Sequence, residues 1–372
     1  MQQIITARLR GAEPSADTRS CSDKIMEILL AGILLIAAFY LGWNIGANDA
    51  ANCIGTTVGA RIVSYRTAAL LMAVFVILGG TLQGHRNMKT VGKGIVIAEP
   101  ATYQAQNGMA APDDFPLYFP DNRLPDLAIL VAMLSAGFFV TLATFSSTPV
   151  STSQAIVGGV AGAGLGLVGA QADYFQLGVL LKILGAWVIS PVLTMMLAFI
   201  IYVLLGLALR KARAIAWSNL MAIGVVISAA YVSYSLGAND VGNAIGPILN
   251  KFPDKGPYLA ALCGVAIAVG ALSFGQRVTD TVGKSITQLD YAGALSAQLS
   301  AAFGVHFFSL LGIPVSTSQA IVGGVIGVGL TKGAQAVSTR KITTIFVGWI
   351  LTPACTAVFA ALLYRLLDSI LP

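Results

Sequence analysis

Long apolar runs separated by short polar breaks organise the whole chain. Runs near 25–43, 67–84, 127–146, 150–169, 174–190 and 191–209 are followed by others near 214–236, 258–275, 293–312 and 315–331, and by a long one at 341–368. A helix needs about 20 apolar residues to cross the hydrocarbon core of a bilayer. In lipid every backbone polar group must find its partner within the protein, which leaves helices and closed barrels as the spanning structures. Run length therefore predicts an all-α integral membrane protein with about 10–12 membrane segments. Runs too short for a plain span meet at polar turns near Pro149 and Pro314, and these predict helical hairpins. Pro191 and Pro353 predict interruptions in the later runs.

The polar residues that break this pattern occur twice. Gly46-Ala47-Asn48-Asp49-Ala50-Ala51-Asn52 closes the first run, and Gly237-Ala238-Asn239-Asp240-Val241-Gly242-Asn243 returns 191 residues later. Thr90-Val91-Gly92-Lys93 matches Thr281-Val282-Gly283-Lys284 at the same spacing, as Arg86 matches Arg277. The stretch from Pro149 to Val160 is then repeated residue for residue from Pro314 to Val325, at a spacing of 165. The change from 191 to 165 places 26 extra residues in the first half, between Ile95 and Pro149. Residues 99–126 carry five prolines and four aspartates, which marks them as an extramembrane insertion. The expected organisation is a polar tail over 1–22, a first transmembrane repeat over 23–209 containing that insertion, and a second over 210–372.

Composition agrees with the pattern. The chain of 372 residues is 56% hydrophobic and 10% charged, with mean hydropathy +0.80, whereas a soluble domain has roughly 25% charged residues. The net charge of +6 would suit nucleic acid, but the basic residues lie in tails and between apolar runs, where they flank a membrane. The densest cluster, Arg210-Lys211-Ala212-Arg213, joins the halves and favours a cytoplasmic connection. Nucleic acid is thus excluded as a partner, the bilayer is expected as one, and the chain is expected to be multi-pass in the cell membrane. The first apolar run leads into the Asn-Asp motif rather than a cleavage site, so it reads as a retained helix. Cys21, Cys53, Cys263 and Cys355 form no CxxC pair and imply neither metal nor disulfide framework.

A carboxylate between carboxamides at membrane depth is costly and marks an ion or substrate path. Its presence in both halves points to a transporter with one shared central site. The Gly and Asn-Asp residues are expected to break their helices and expose backbone groups. Asp49 and Asp240 offer hard oxygen ligands suited to Na⁺, and the carboxamides offer both carbonyl oxygens and N–H donors. In Pro-Val-Ser-Thr-Ser-Gln the proline suits the first turn of a helix. The hydroxyls after it sit where orphan N–H groups and a partial positive charge favour an oxyanion. Either motif alone could be a simple helix break or a set of back-bonded hydroxyls; the duplication of both favours function. Gly158, Gly162 and Gly166 form a small-residue ladder for helix packing. His306 stands where the first half has Thr141 and reads as a satisfied core histidine. For Arg86, Lys93, Arg277 and Lys284, anion attraction and interfacial anchoring remain equally open.

These motifs resemble those of the inorganic phosphate transporters, or phosphate permeases, over nearly the whole chain from about residue 25 to 368. The run Gln276-Arg277-Val278-Thr279-Asp280-Thr281-Val282-Gly283-Lys284 is similar to that family as well. The resemblance implies two inverted repeats, often dimeric, with phosphate held centrally beside coupling Na⁺ or H⁺. It implies Asn48, Asn52, Asn239, Asn243, Ser151, Thr152, Ser153, Ser316, Thr317 and Ser318 as phosphate ligands. Asn48, Asp49, Gln154, Asn239, Asp240 and Gln319 are implied for the cation, with Na⁺ at Asp49 and Asp240. Many family members have histidine where Gln154 and Gln319 stand, and threonine where Ser153 and Ser318 stand.

Charge counting supports coupling separately. Two aspartates and one HPO₄²⁻ carry four negative charges, and two helix N-termini return about one positive charge. The excess could not lie at membrane depth without cations or protons. Sulfate on the same scaffold is the alternative cargo, but phosphate keeps a proton at neutral pH and needs an acceptor, which Asp49 or Asp240 supplies. An enzyme is not expected: the chain offers no nucleophile–base pair, no His/Cys metal cluster and no nucleotide loop. No cofactor is expected beyond the coupling ion.

Overall fold

The computed structural model describes residues 16–119, 121–209, 214–285, 289–333 and 339–370. The 1–15 part of the expected tail and the basic junction at 210–213 lie outside them. The described residues are helical almost throughout: α1 (Ala16–Gly59), α2 (Tyr65–Gln83), α3 (His85–Lys93), α4 (Pro100–Asn107), α5 (Phe115–Tyr118), α6 (Asp126–Phe145), α7 (Thr152–Val168), α8 (Leu177–Leu209), α9 (Ala214–Ile245), α10 (Gly256–Ser285), α11 (Tyr291–Leu310), α12 (Thr317–Thr331) and α13 (Thr339–Ile370). Seven of these are long and apolar enough to cross a membrane, and α7 and α12 are shorter apolar helices. Together with α11, ten helices reach fifteen residues or more. The chain is a multi-pass, all-α membrane protein.

Two expectations are corrected. The Asn-Asp motifs do not break their helices, since α1 runs through 46–52 and α9 through 237–243. Their glycines serve close approach instead. A Cβ on Gly46 would lie 1.8 Å from the carbonyl oxygen of Ile267, and one on Gly237 would lie 2.1 Å from that of Val76. Nor do the prolines split their segments: α8 contains Pro191 and α13 contains Pro353. At those points a half-length helix crosses. Gly158 of α7 lies against the Pro353 carbonyl and Gly323 of α12 against the Pro191 carbonyl. Neighbouring helices commonly accommodate a proline inside a membrane helix in this way.

The repeat is visible in the elements, because α6 and α11 span 126–145 and 291–310, the same twenty positions shifted by 165. Each half contributes one hairpin, α6–α7 or α11–α12. Its turn passes through a left-handed residue, Ser147 (φ 54) in the first and Gly312 (φ 69) in the second. The halves are interleaved. Helix α1 clasps α10 of the other half, where a Cβ on Gly270 would in turn strike the Trp43 carbonyl at 1.9 Å. The exchanged pair, α2 with α9, repeats the arrangement through Gly79 and Tyr234. The Gly158, Gly162 and Gly166 ladder packs on Pro353, Ala357 and Ala361 of α13, so it is helix packing, as its spacing predicts.

Residues 99–126 form more than an open loop. They carry α4, α5 and an aromatic cluster in which Tyr103, Phe115 and Phe119 surround Tyr174. Gln106 donates to the Phe175 carbonyl (2.8 Å) and Asn107 to the Asp173 carbonyl (3.0 Å), and backbone bonds of Ile95 and Ile97 just before the segment also reach the α7–α8 connection.

Candidate functional site

The two hairpin turns meet at the two Asn-Asp motifs, and there the chain buries a dense cluster of polar side chains. Asn48, Asp49, Asn52, Asn239, Asp240 and Asn243 are each at most 1% exposed, and the six hydroxyl residues from 151–153 and 316–318 at most 3%. The helix N-termini form just after the prolines, but Pro149 and Pro314 lie two residues before the caps instead of in the first turn. Ser151 caps α7 by accepting from the Gln154 N–H, and Ser316 caps α12 through the Gln319 N–H, both at 3.2 Å. A serine N-cap satisfies one of the orphan N–H groups of the first turn.

Asp49 receives three side-chain donors and Asp240 four. Asp49 accepts from Thr152 (2.6 Å), Ser318 (3.3 Å) and Asn52 (2.9 Å). Asp240 accepts from Thr317 (2.8 Å), Ser153 (3.0 Å) and Asn243 (2.7 Å), and from its neighbour Asn239 (3.0 Å). The first three partners correspond under the repeat. Every hairpin gives its threonine to its own half and its second serine to the other. The serines also reach across to the opposite turn: Ser153 donates to the Val315 carbonyl at 2.8 Å and Ser318 to the Val150 carbonyl at 2.9 Å. A hydroxyl has one proton, so each serine proton is shared between a carboxylate and the facing turn, whereas each threonine proton is committed to a carboxylate.

Asn48 and Asn239 have a different task. The Asn48 oxygen accepts from the Val150 N–H (3.1 Å) while its amide donates to Thr144 (3.1 Å) and to the Thr148 carbonyl (3.2 Å). Asn239 accepts from the Val315 N–H (3.2 Å) and donates to the Val315 carbonyl (2.7 Å). Both therefore brace the non-helical backbone at a hairpin turn, which could not otherwise satisfy its polar groups at membrane depth. Gln154 and Gln319 are buried but make no bond to either aspartate. Both line an apolar cavity of about 660 Å³ between α8 and α13, with their Oε1 atoms unpartnered.

The oxygen chemistry fits a hard cation. Around each aspartate lie hydroxyl oxygens, a turn carbonyl and one amide oxygen, Asn52 Oδ1 or Asn243 Oδ1, that is buried without a partner. Oxygen sets of this kind suit ions such as Na⁺, and an orphaned buried acceptor is the group such an ion would satisfy.

Several contributors escape a reading by repeats. Asn87 donates to the Asn239 side chain at 3.1 Å, yet Val278 stands at its counterpart position. Arg86 donates to the Leu310 carbonyl and Thr90 to the Gly312 carbonyl at 2.6 Å, so α3 anchors the second hairpin turn. Arg277 lies over the ring of Phe274, Lys93 pairs with Glu99 at 2.9 Å, and the Lys284 side chain lies outside the described residues. His306 is satisfied on both ring nitrogens, by Tyr231 (2.8 Å) and Gln83 (2.7 Å), in keeping with the core reading.

The chain matches the profile of the phosphate transporter family over residues 45–225 and 207–360. It is 28% identical to the chloroplastic inorganic phosphate transporter 2-1 of Arabidopsis thaliana, over 92% of this chain and 73% of that one. Among solved structures, one titled as the sodium-dependent phosphate transporter matches with a TM-score of 0.77 and 28% identity. The match covers 92% of this chain and 100% of the other.

Proposed function

The chain belongs to the phosphate transporter family, and we propose on that premise that it imports inorganic phosphate by symport with Na⁺. In this reading Asp49 and Asp240 seat the cations, and the anion lies between the hairpin turns, near the bilayer midplane and between two inverted repeats. Supporting it is the reciprocal network in which each aspartate takes hydroxyls from both turns, so that neither hairpin can move without disturbing both carboxylates. The sodium dependence named for the similar solved structure supports the choice of ion. The homodimer implied by the family resemblance belongs to the same proposal; cross-linking in native membranes reports it.

The hydrogen bonds supply a mechanism for coupling. Thr152, Ser153, Thr317 and Ser318 are the donors suited to phosphate oxygens, but their protons are engaged by carboxylates. A cation at Asp49 takes over the carboxylate charge and accepts lone pairs from Asn52 Oδ1 and the hydroxyl oxygens. The hydroxyl protons are then free to turn towards the anion, and the same exchange occurs at Asp240. Phosphate thus meets its donors only after the cations are seated, and the pair of charges cancels most of the excess that would forbid a dianion at this depth. Asn48 and Asn239 hold the turns in register, Ser151 and Ser316 cap their helices, and Asn52 and Asn243 lie between cation and anion. Gln154 and Gln319 stand one residue behind the anion donors.

Uptake of radiolabelled phosphate into proteoliposomes tests this directly. An imposed Na⁺ gradient is expected to drive accumulation that sulfate does not inhibit. Accumulation driven by a pH gradient alone would replace Na⁺ by protons, and preferential uptake of sulfate would overturn the cargo assignment.

A further inference from the structure

The two halves agree at the aspartates but not along the walls that lead away from them. Past Asp49 and Asn52, α1 continues through buried Cys53, Thr56 and Thr57. Gln298 of α11 spans this stretch, donating to the Cys53 carbonyl at 2.9 Å and to the Thr57 hydroxyl at 2.8 Å. Ser228 of α9 donates to Gln298 Oε1 at 2.8 Å, and Ser233, one turn closer to Asp240, lies against the Cys53 thiol. The repeat-related wall is apolar. Ala244 stands for Cys53, Ile248 for Thr57, Met133 for Gln298 and Ala37 for Ser228, all within the buried hydrophobic core. Packing alone does not explain the polar wall, because the Thr56 hydroxyl is buried in it without a partner.

This difference has a physical consequence. Where helices part along hydrogen-bonded side chains, water replaces the lost partners at small net cost. Where they part along Ile248, Met133 and the alanines, apolar surface is hydrated with no such return. Polar side chains that face the interior of a membrane bundle mark the paths of ions and water. We propose that the wall formed by α1, α9 and α11 is the aqueous route to Asp49, with Gln298 as its latch, and that the repeat-related wall stays dry in the same conformation. The role of that route for the coupling cation rests on the symport reading; its hydration does not.

Cys53 is a native reporter of that route. In a background with Cys21, Cys263 and Cys355 replaced by alanine, its thiolate would attack a sulfonatoethyl methanethiosulfonate, forming a mixed disulfide and releasing the sulfinate. The rate is read from intact mass, without phosphate or transport, so failure here and failure of the phosphate assignment are separable. Cys53 is expected to react at least about tenfold faster than a lone thiol introduced as Ala244→Cys with Cys53→Ala. Gln298→Met, which copies the dry wall, is expected to slow Cys53 by about tenfold or more, since one large apolar side chain is worth at least a decade in such an equilibrium. Gln298→Asn should stay near the native rate. Equal rates at the two positions, or an unchanged rate in Gln298→Met, would overturn the proposal. If Ala244→Cys does not give a monodisperse protein, the Gln298 pair decides alone.

Discussion

Asp49 and Asp240 each depend on a threonine whose single proton has no other acceptor in the structure. Thr152→Ala or Thr317→Ala removes that donor and leaves a buried carboxylate under-satisfied, at about 1–3 kcal/mol. Phosphate affinity is expected to fall by roughly five- to a hundredfold, while the amount of protein in the membrane stays unchanged. Calorimetry with phosphate at saturating Na⁺ reads the affinity, and unchanged binding in both variants would remove the hydroxyls from the anion site. Asp49→Asn and Asp240→Asn keep the volume and remove the charge. Each should abolish the Na⁺ dependence of uptake, and wild-type uptake with unchanged Na⁺ dependence in both would exclude the aspartates as cation seats. The residues themselves were legible because both motifs stand out from an apolar background twice. Their partners were not. Nothing in the spacing says that Ser153 serves Asp240 while Thr152 serves Asp49, since that crossover is a property of two turns meeting. Asn87 and Gln298 were missed for a related reason: they face Val278 and Met133 across the repeat, and a search for duplicated polarity passes over them.

Among elements, helix existence followed from the apolar runs, whereas helix continuity did not. Glycine and proline usually signal a break in sequence, but at Gly46, Gly237, Pro191 and Pro353 a packed neighbour decides otherwise. Gly46→Ala would drive a methyl group into the Ile267 backbone, which no rotamer change can relieve. We expect a loss of at least about 3 kcal/mol, at the upper end of overpacking effects, seen as a lower thermal midpoint in detergent. The hairpin turns give a prediction of opposite sign. Ser147 holds a left-handed conformation that Gly312 adopts freely in the other half, and that conformation disfavours a side chain by roughly 1–2 kcal/mol. Ser147→Gly should therefore raise the thermal midpoint or leave it unchanged, and Gly312→Ser should lower it. The insertion over 99–126 was identified by its length but not by its order. Its aromatic residues Tyr103, Phe115 and Phe119 find Tyr174 between 55 and 71 positions away, beyond any local pattern. Phe115→Ala is expected to loosen this segment at a cost of about 3–5 kcal/mol, detectable as faster proteolysis near residue 110, with phosphate affinity unchanged.

For the whole molecule, two related halves could be inferred from the 191 and 165 spacings, but not which helix of one would lie against which of the other. The structure answers with exchange: α1 seats on α10, α9 on α2, α7 on α13 and α12 on α8. Neither half can therefore bury its own motif glycine. Expressed separately, the segments 1–211 and 212–372 are expected to aggregate; co-expressed, they should assemble and be recovered together by affinity purification. Recovery of either segment alone as a monodisperse, helical protein would contradict this reading.

The paired clasps also bear on ancestry. If Gly46 met Ile267 and Gly79 met Tyr234 within one half, a single repeat would be a complete fold. Because both contacts cross between halves, the unit before gene duplication had nowhere to place its Asn-Asp helix except on another copy of itself. On that logic the founding protein was a homodimer of half-length chains, whose two walls were necessarily identical. Fusion of its genes first allowed Gln298 and Met133 to diverge.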